Sequence, residues 1–599
     1  MTVKEEKKQA SPTARGGGFL IRQAVPEELF TPEDLTDEHR AIADLCDQFI
    51  TDVVMPQNEA IEHLEAGLMP SLVKKAGDAG LLSAEIPTEY GGMGLDETSA
   101  ILICEHLGRQ GSFAVSHGAH SGIGTLPIVY FGTPEQKKKY LPKLGSGELL
   151  SCYALTEPGS GSDALAAKTK AVLSTDGKHY ILNGSKMWIT NAGFADICVL
   201  FAKIDGDKFT GFIIERNMPG FTVNKEERKM GLKGSSTCAL TLKDVKVPVE
   251  NLLGEISRGH KIAFNILNIG RFKLGAGALG AAKEVLRTTL AYTQDRKQFD
   301  TRIADFPLIM SKLADMAVKI CVGESMVYRT AGLIDGGRPH AATHHPDPMQ
   351  ERLAAIEEYA VECSMLKVGC SEILDFVVDE GVQCHGGYGY SAEYPVERFY
   401  RDSRINRIFE GTNEINRMLI PGMLIKRAMK GELPLLSEVA KVQQELLDAG
   451  GLDDNDGSLL STEKKLVEGG RKLALLMSGV AFQAFGEEMK SQQEVLAHIA
   501  DLCITLYGAE SVVVRALKCA AAGSPHAKLV EKMARIAVND AAVQFEQSAK
   551  AALPAMVGGD ELKILLSAVK RLTRFTPVNA IALRHEVAQE LKQAGRYFL

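Results

Sequence analysis

The sequence predicts a mainly α-helical protein with a central β-domain: an N-terminal helical domain, an antiparallel β-barrel or sandwich, a C-terminal four-helix bundle and an appended helical domain. Three observations predict it. Ile42, Leu45, Phe49 and Val53 recur at helical spacing where the folded chain begins. Between residues 151 and 250 the pattern changes to short β-rich runs, SCYALTE, HYIL, KMWIT, ICVLFAKI, FTGFIIER and CALTLKDVKV. Beyond Leu253 the helical spacing returns. Helices, then strands, then helices exclude an alternating parallel sheet for the body of the protein, and a Rossmann nucleotide site with it.

In chain order, residues 1–35 read as a flexible arm, because MTVKEEKKQASPTARGGG has no apolar run. The arm carries acidic residues and resembles neither a secretory signal nor a mitochondrial presequence. Thr36-Asp37 is a helix start, opening a helical domain over residues 36–150. In the β-domain, residues 151–256, Asn183-Gly184 and Asp205-Gly206 are hairpin dipeptides. The bundle, residues 257–430, carries Phe306, Ile309, Leu313, Met316 and Ile320 on one helix face. GGRPHAATHHPDP (336–348) interrupts it, and its His340, His344 and His345 read as a solvated loop, since no metal-ligand geometry is defined. GELPLL and DAGGLDDNDGS mark a linker over residues 431–461. Amphipathic runs such as EKKLVEGGRKLALLM and QQEVLAHIADLCITLYG then form the appended domain, residues 462–599.

A chain of 599 residues is too long for one core and is expected to divide into about four units. With 45% apolar and 24% charged residues and a net charge of -8, nucleic acid is not an expected partner. The 11 cysteines show no C-x-x-C pair and no zinc spacing, which predicts reduced thiols, a cytoplasmic setting and no metal. No run of about 18 uninterrupted apolar residues occurs, so no membrane span is expected. The C-terminal helices leave peripheral membrane contact open.

Four motifs and one carboxylate carry candidate chemistry. RIFEGTNEINR (407–417) sets Glu410 between Phe409 and Gly411-Thr412. Apolar neighbours would raise the pKa of that carboxylate toward general-base range, while a solvated helix-start role is the alternative. YALTEPGSGSD (153–163) runs a strand into a Gly/Ser turn that either approaches a flavin or phosphate closely or simply turns. KMWITNAG (186–193) contains the single tryptophan, Trp188, as a cofactor-stacking or core residue. DRKQFD (295–300) and QCHGGYGY (383–390) read equally as binding loops or as ordinary turns. The row Arg398, Arg401, Arg404 and Arg407 reads as ion pairs with acids such as Glu397 and Asp402.

In this order and at these separations, the motifs resemble the acyl-CoA dehydrogenase family over residues 38–428, and the region after residue 430 resembles the extension of its very-long-chain members. The resemblance implies FAD lined by Tyr153, Leu155, Thr156, Gly161 and Ser162, with Trp188, Ile189 and Thr190 flanking the flavin ring. It implies that Arg296, Gln298, Phe299, Gln383, Gly386 and Gly387 reach the FAD of a neighbouring subunit, hence a homo-oligomer with a dimer favoured. Thr412 and Glu414 would complete the cofactor site. Ser162, Asn268, Arg271, Phe409 and Gly411 would meet the acyl-CoA. Some members place the base immediately before the arginine, where this chain has Gly270, so the resemblance assigns the base to Glu410.

The implied reaction is α,β-desaturation of a fatty acyl-CoA in β-oxidation, with electrons passed to electron-transferring flavoprotein. Gly118, Ala119, Gly122 and Gly124 leave room for a long acyl chain, or else pack helices. An acyl-CoA oxidase using oxygen, and a non-catalytic scaffold or assembly protein on the same fold, are the alternatives.

Overall fold

The computed structural model describes residues 15–447 and 457–599. Before the sheet come α1 (Asp37–Phe49), α2 (Asn58–Glu62), α3 (Leu68–Asp78), α4 (Glu97–Leu107), α5 (Gly111–Gly118), α6 (Leu126–Phe131) and α7 (Pro134–Ser146). The sheet contains β1 (Ser151–Ala154), β2 (Lys170–Leu173), β3 (His179–Thr190), β4 (Ile197–Ile204), β5 (Lys208–Glu215), β6 (Phe221–Glu226), β7 (Thr237–Pro248) and β8 (Leu252–Leu253). After it come α8 (Gly259–Asp295), α9 (Pro307–Ala342), α10 (Pro348–Glu358), α11 (Ala360–His385), α12 (Pro395–Ser403) and α13 (Asn413–Met429). The chain ends with α14 (Leu435–Leu447), α15 (Ser461–Phe485), α16 (Gln493–Ala521), α17 (Ala527–Met556), α18 (Gly559–Leu572) and α19 (Ala580–Ala594).

Two compact units result, one of residues 35–293 and 370–412, the other of the described residues of 1–34, 294–369 and 413–599. The first unit holds the sheet and the N-terminal helices. Thr36 caps α1 as its sequence predicts: its hydroxyl accepts from His39 N–H, and the His39 ring accepts from Thr36 N–H. The sheet runs β6-β7-β3-β2-β4-β5-β8, with β1 paired to β4. It is mixed rather than antiparallel, because β1 and β2 both pair with β4 in parallel. Its core gathers residues such as Leu182, Leu200, Phe212, Leu240 and Val247 from alternating strand positions.

The predicted turns divide. Asp205 and Gly206, at φ 53 and 90, close the β4–β5 hairpin. Asn183-Gly184 does not turn; it lies within β3 at a register shift, so HYIL and KMWIT are one strand. The Asn183 amide pairs with Asp244 of β7, and a Cβ on Gly184 would stand 2.5 Å from Thr169 Oγ1, so that glycine serves close backbone approach. The β2–β3 turn instead uses Asp176, whose carboxylate accepts from Ser174 Oγ and Lys178 N–H.

The second unit corrects the predicted boundaries. Residues 15–34 are packed rather than flexible: Gly16 N–H and Gly17 N–H donate to Glu358 and Glu362 at 2.9 and 2.7 Å, and the Phe19 ring meets Tyr507 at 5.3 Å. Residues 1–14 lie outside the described residues. The predicted bundle over 257–430 is divided between the units, because α9 buries its apolar face against α16 and α19. Buried charges join the same helices, with Glu510 of α16 between Arg329 of α9 and Arg471 of α15 at 2.7 and 2.6 Å. Helix α9 also continues through GGRPHAA to Ala342, with Pro339 in its last turn. The predicted linker contains α14, and residues 448–456 lie outside the described residues. By length and composition α16 is apolar enough to cross a membrane, and it is mostly buried within its unit.

Candidate active site

Glu410 stands in the segment after α12 with its backbone at φ 59, followed by Gly411 at φ 81. A left-handed glutamate is strained by about 1–3 kcal/mol and persists only where its surroundings hold it. Two residues of α8 do so. Arg271 Nε donates to the Glu410 carbonyl at 3.1 Å, and Arg271 Nη1 donates to Asn268 Oδ1 at 3.0 Å. Both α8 side chains are buried, and these bonds direct them to the Glu410 segment.

The carboxylate of Glu410 lies over Gly270. A Cβ at that glycine would stand 2.6 Å from Glu410 Oε2 and 2.8 Å from Cδ. A side chain at residue 270 would therefore displace the Glu410 carboxylate from this position.

From Glu410 and Phe409 opens a cavity of about 190 Å³. One wall is the α8 stripe Gly270, Lys273, Leu274, Gly277, Ala278 and Ala281, at spacings that place them on one helix face. Facing it are Gly111, Ala114, Val115, Gly118, Ala119 and Gly122, on α5 and the wide turn that continues it. Three of the four small residues singled out from the sequence thus line the cavity. Gly124 does not; a Cβ there would meet Ser151 Oγ at 2.5 Å, so it serves packing. The α8 stripe was missed, although its small residues sit at i, i+3, i+4 spacing in NIGRFKLGAGALGAA.

The β3 end of the sheet meets the same cavity through Thr190. Two residues earlier, Trp188 occupies the second register shift of β3 against β7, at φ 58 and 60% exposed. A bulge there turns the indole out of the sheet core. Tyr153, Leu155 and Ile189 are buried. Burial pushes the Tyr153 phenol well up, and the Glu410 charge adds to it, which keeps that hydroxyl a proton donor.

Thr156, Gly161 and Ser162 lie in the loop after β1, where nothing crowds a Cβ built on Gly161. The loop is anchored by Glu157. Burial opposes its charge, but Lys186 Nζ at 2.7 Å, Thr169 Oγ1 at 2.6 Å and Lys168 N–H at 2.6 Å hold the carboxyl below its usual range. Lys186 also donates to the Leu155 carbonyl, and Met187 N–H to that of Thr156. Loop and Trp188 strand are thereby fixed to each other.

Gln383 lies in the last turn of α11, and Gly386, at φ 60, and Gly387 are exposed with open space beside them. Arg296, Gln298, Phe299 and Glu414 belong to the second unit. There Phe299 and Asp300, both at positive φ, form the tip of a two-residue hairpin that exposes 89% of Phe299. Two of the four arginines of the row form ion pairs, Arg401 with Glu397 and Glu62 and Arg407 with Asp375, while Arg398 lies over the Phe399 ring. Asp402 instead accepts from Leu232 N–H, and burial pushes its carboxyl up to about 6. His340, His344 and His345 are exposed, and no group of three or more potential metal ligands occurs among the described residues.

Compared with known families, residues 36–148 match the acyl-CoA dehydrogenase N-terminal domain, 152–245 the middle domain and 257–424 the C-terminal domain. The chain belongs to the acyl-CoA dehydrogenase family. A further acyl-CoA dehydrogenase C-terminal domain matches residues 470–571. This acyl-CoA dehydrogenase family member is 49% identical to a probable acyl-CoA dehydrogenase of Bacillus subtilis, over 98% of this chain and 99% of that protein. It is 34% identical to the human mitochondrial very long-chain specific acyl-CoA dehydrogenase, over 91% of this chain and 85% of the other. Among solved structures, an acyl-CoA dehydrogenase complexed with FAD from Bacillus anthracis superposes with a TM-score of 0.95 at 49% identity, covering 98% of this chain and 100% of that one.

Proposed function

We propose that the protein is an FAD-dependent dehydrogenase that desaturates long-chain fatty acyl-CoA between the α- and β-carbons, with Glu410 as the base. The observation that carries this reading is the Glu410 carboxylate lying over Gly270 at a cavity of acyl-chain character. Glu410 would take the α-proton. Arg271, by holding the Glu410 carbonyl, fixes the carboxylate and the backbone N–H of the same residue, a donor suited to a thioester oxygen that gains charge. Arg271 and Asn268 act in this reading by positioning Glu410, beside the CoA contact that the resemblance implies.

Bound FAD would supply the hydride acceptor. The residues fit such a group: the outward Trp188 offers an aromatic face, Thr190 borders both strand end and cavity, and Gly161 leaves its loop open to close approach. The neighbour from Bacillus anthracis, which holds FAD, supports the same reading. Exposed Phe299 on a hairpin tip, with Gln383, Gly386 and Gly387, supports a homodimer in which these residues reach the partner's cofactor.

From Gly270 to Ala281, α8 rises about 16 Å, room for roughly a dozen methylenes in an extended chain. This supports long-chain acyl groups, in β-oxidation, with electron-transferring flavoprotein as acceptor. Anaerobic palmitoyl-CoA added to the purified holoprotein is expected to bleach its flavin spectrum; an unchanged spectrum refutes the reading. Faster turnover of butyryl-CoA than palmitoyl-CoA would refute the chain length, and stoichiometric peroxide in air would make the enzyme an oxidase.

A further inference from the structure

The cavity at Glu410 is apolar along most of its wall, and an ion pair interrupts it. Lys273 stands one turn beyond Gly270 on the same stripe of α8, and its ammonium donates to Glu85 Oε2. The two side chains keep 11% and 7% of their surface. Lys273 lines the cavity, Glu85 is not among its lining residues, and the ammonium lies 3.9 Å from a Cβ built on Gly122 of the facing wall.

Burial opposes the charge on Lys273, but Glu85 outweighs it and keeps the amine above its usual range. Such a pair does little for stability that apolar residues of equal volume would not do as well. For a plain hydrocarbon chain it is a poor wall. An ammonium offers three donors, and among the described residues Glu85 is the acceptor that takes one of them.

We infer that Lys273 is a specificity-determining residue, which selects acyl thioesters bearing a hydroxyl or keto oxygen partway along the chain by donating a hydrogen bond to that oxygen inside the cavity. The inference rests on the dehydrogenase reading above. Three residues of helix rise about 4.5 Å, or three to four methylenes beyond the reacting carbons, which puts the oxygen at about C6–C8. Glu85 orients the ammonium and leaves donors for the substrate.

The test compares kcat/KM of the holoenzyme and its Lys273→Met variant on palmitoyl-CoA and 7-hydroxypalmitoyl-CoA, with dissociation constants for both measured by calorimetry in the Glu410→Gln background. The wild type is expected to use the hydroxylated substrate at least as well as the plain one. Lys273→Met should lower the ratio of hydroxylated to plain roughly tenfold to a hundredfold, in KM and binding more than in kcat. Lys273→Gln, which keeps a donor, should retain most of the ratio and covers the case in which the Met variant fails to fold.

Equal ratios in wild type and variants overturn the inference, as does a wild type that rejects the hydroxylated substrate a hundredfold. Those outcomes leave palmitoyl-CoA bleaching intact. Failure of palmitoyl-CoA to bleach the wild-type flavin overturns the dehydrogenase reading itself, and this inference with it.

Discussion

Glu410 combines a strained backbone with a carboxylate lying over a glycine, and each half explains the other. The left-handed φ brings the side chain across α8, and Gly270 is the residue that admits it. Replacing Glu410 with Gln keeps the shape and removes the base, so turnover should fall about 10²–10⁴-fold while FAD and acyl-CoA still bind; near-normal turnover would remove Glu410 from the mechanism. Gly270→Ala tests the geometry instead. Its Cβ would stand 2.6 Å from Glu410 Oε2, so the carboxylate must shift, and kcat is expected to drop about 10- to 100-fold with FAD content unchanged. A variant with wild-type kcat would show that the contact does not set the base's position.

At the scale of elements, the segment from β1 to β3 is held by one buried cluster. Glu157 fixes its loop to Lys186, and β3 then bulges to expose Trp188. Removing the cation in Lys186→Met leaves the Glu157 carboxylate buried without it, at a cost of about 3–5 kcal/mol. The expected result is a lower melting temperature and weaker FAD binding by flavin fluorescence, both partly restored by adding Glu157→Gln. FAD binding unchanged in the single variant would show that this cluster does not shape the cofactor face. None of the cluster was legible in TEPGSGSD, because ion pairing between a loop and a strand about thirty residues apart leaves no local pattern. The failed hairpin at Asn183-Gly184 has the same origin: pairing with Asp244 and the close approach of Thr169 overrode a strong local turn signal.

On the scale of the whole molecule, the second unit brings residues 15–34 and the last helices together with α9. Its buried Glu362 accepts from Gly17 N–H at 2.7 Å, and burial pushes its carboxyl up to about 7. The native state thus holds this proton to higher pH than the unfolded chain, whose carboxyl has the usual 4.5. Stability from Glu362 is full below pH 4.5 and is lost as pH rises toward 7, on the order of 3 kcal/mol in all. Asp402 adds the same sign between 3.8 and about 6 in the first unit. Glu362→Gln should raise the melting temperature at pH 8 and flatten its fall between pH 5 and 8; a pH profile parallel to wild type would show that Glu362 does not titrate in that range.

Local sequence alone determined the helix–strand–helix order, the Thr36 cap and the Asp205-Gly206 hairpin, since each depends on residues within a few positions of one another. The local setting of Glu410 and the motifs that resemble the family singled out the base, and the stretch VSHGAHSGIG offered the small residues opposite it. Tertiary structure alone decided that Gly270 lies beneath Glu410, that Gly118, Ala119 and Gly122 line a cavity while Gly124 packs, and that Lys273 reaches into it. It also decided that residues 15–34 and the last helices share one unit with α9. Those facts depend on which surfaces meet across long stretches of chain, and a pattern of near neighbours carries no record of such meetings.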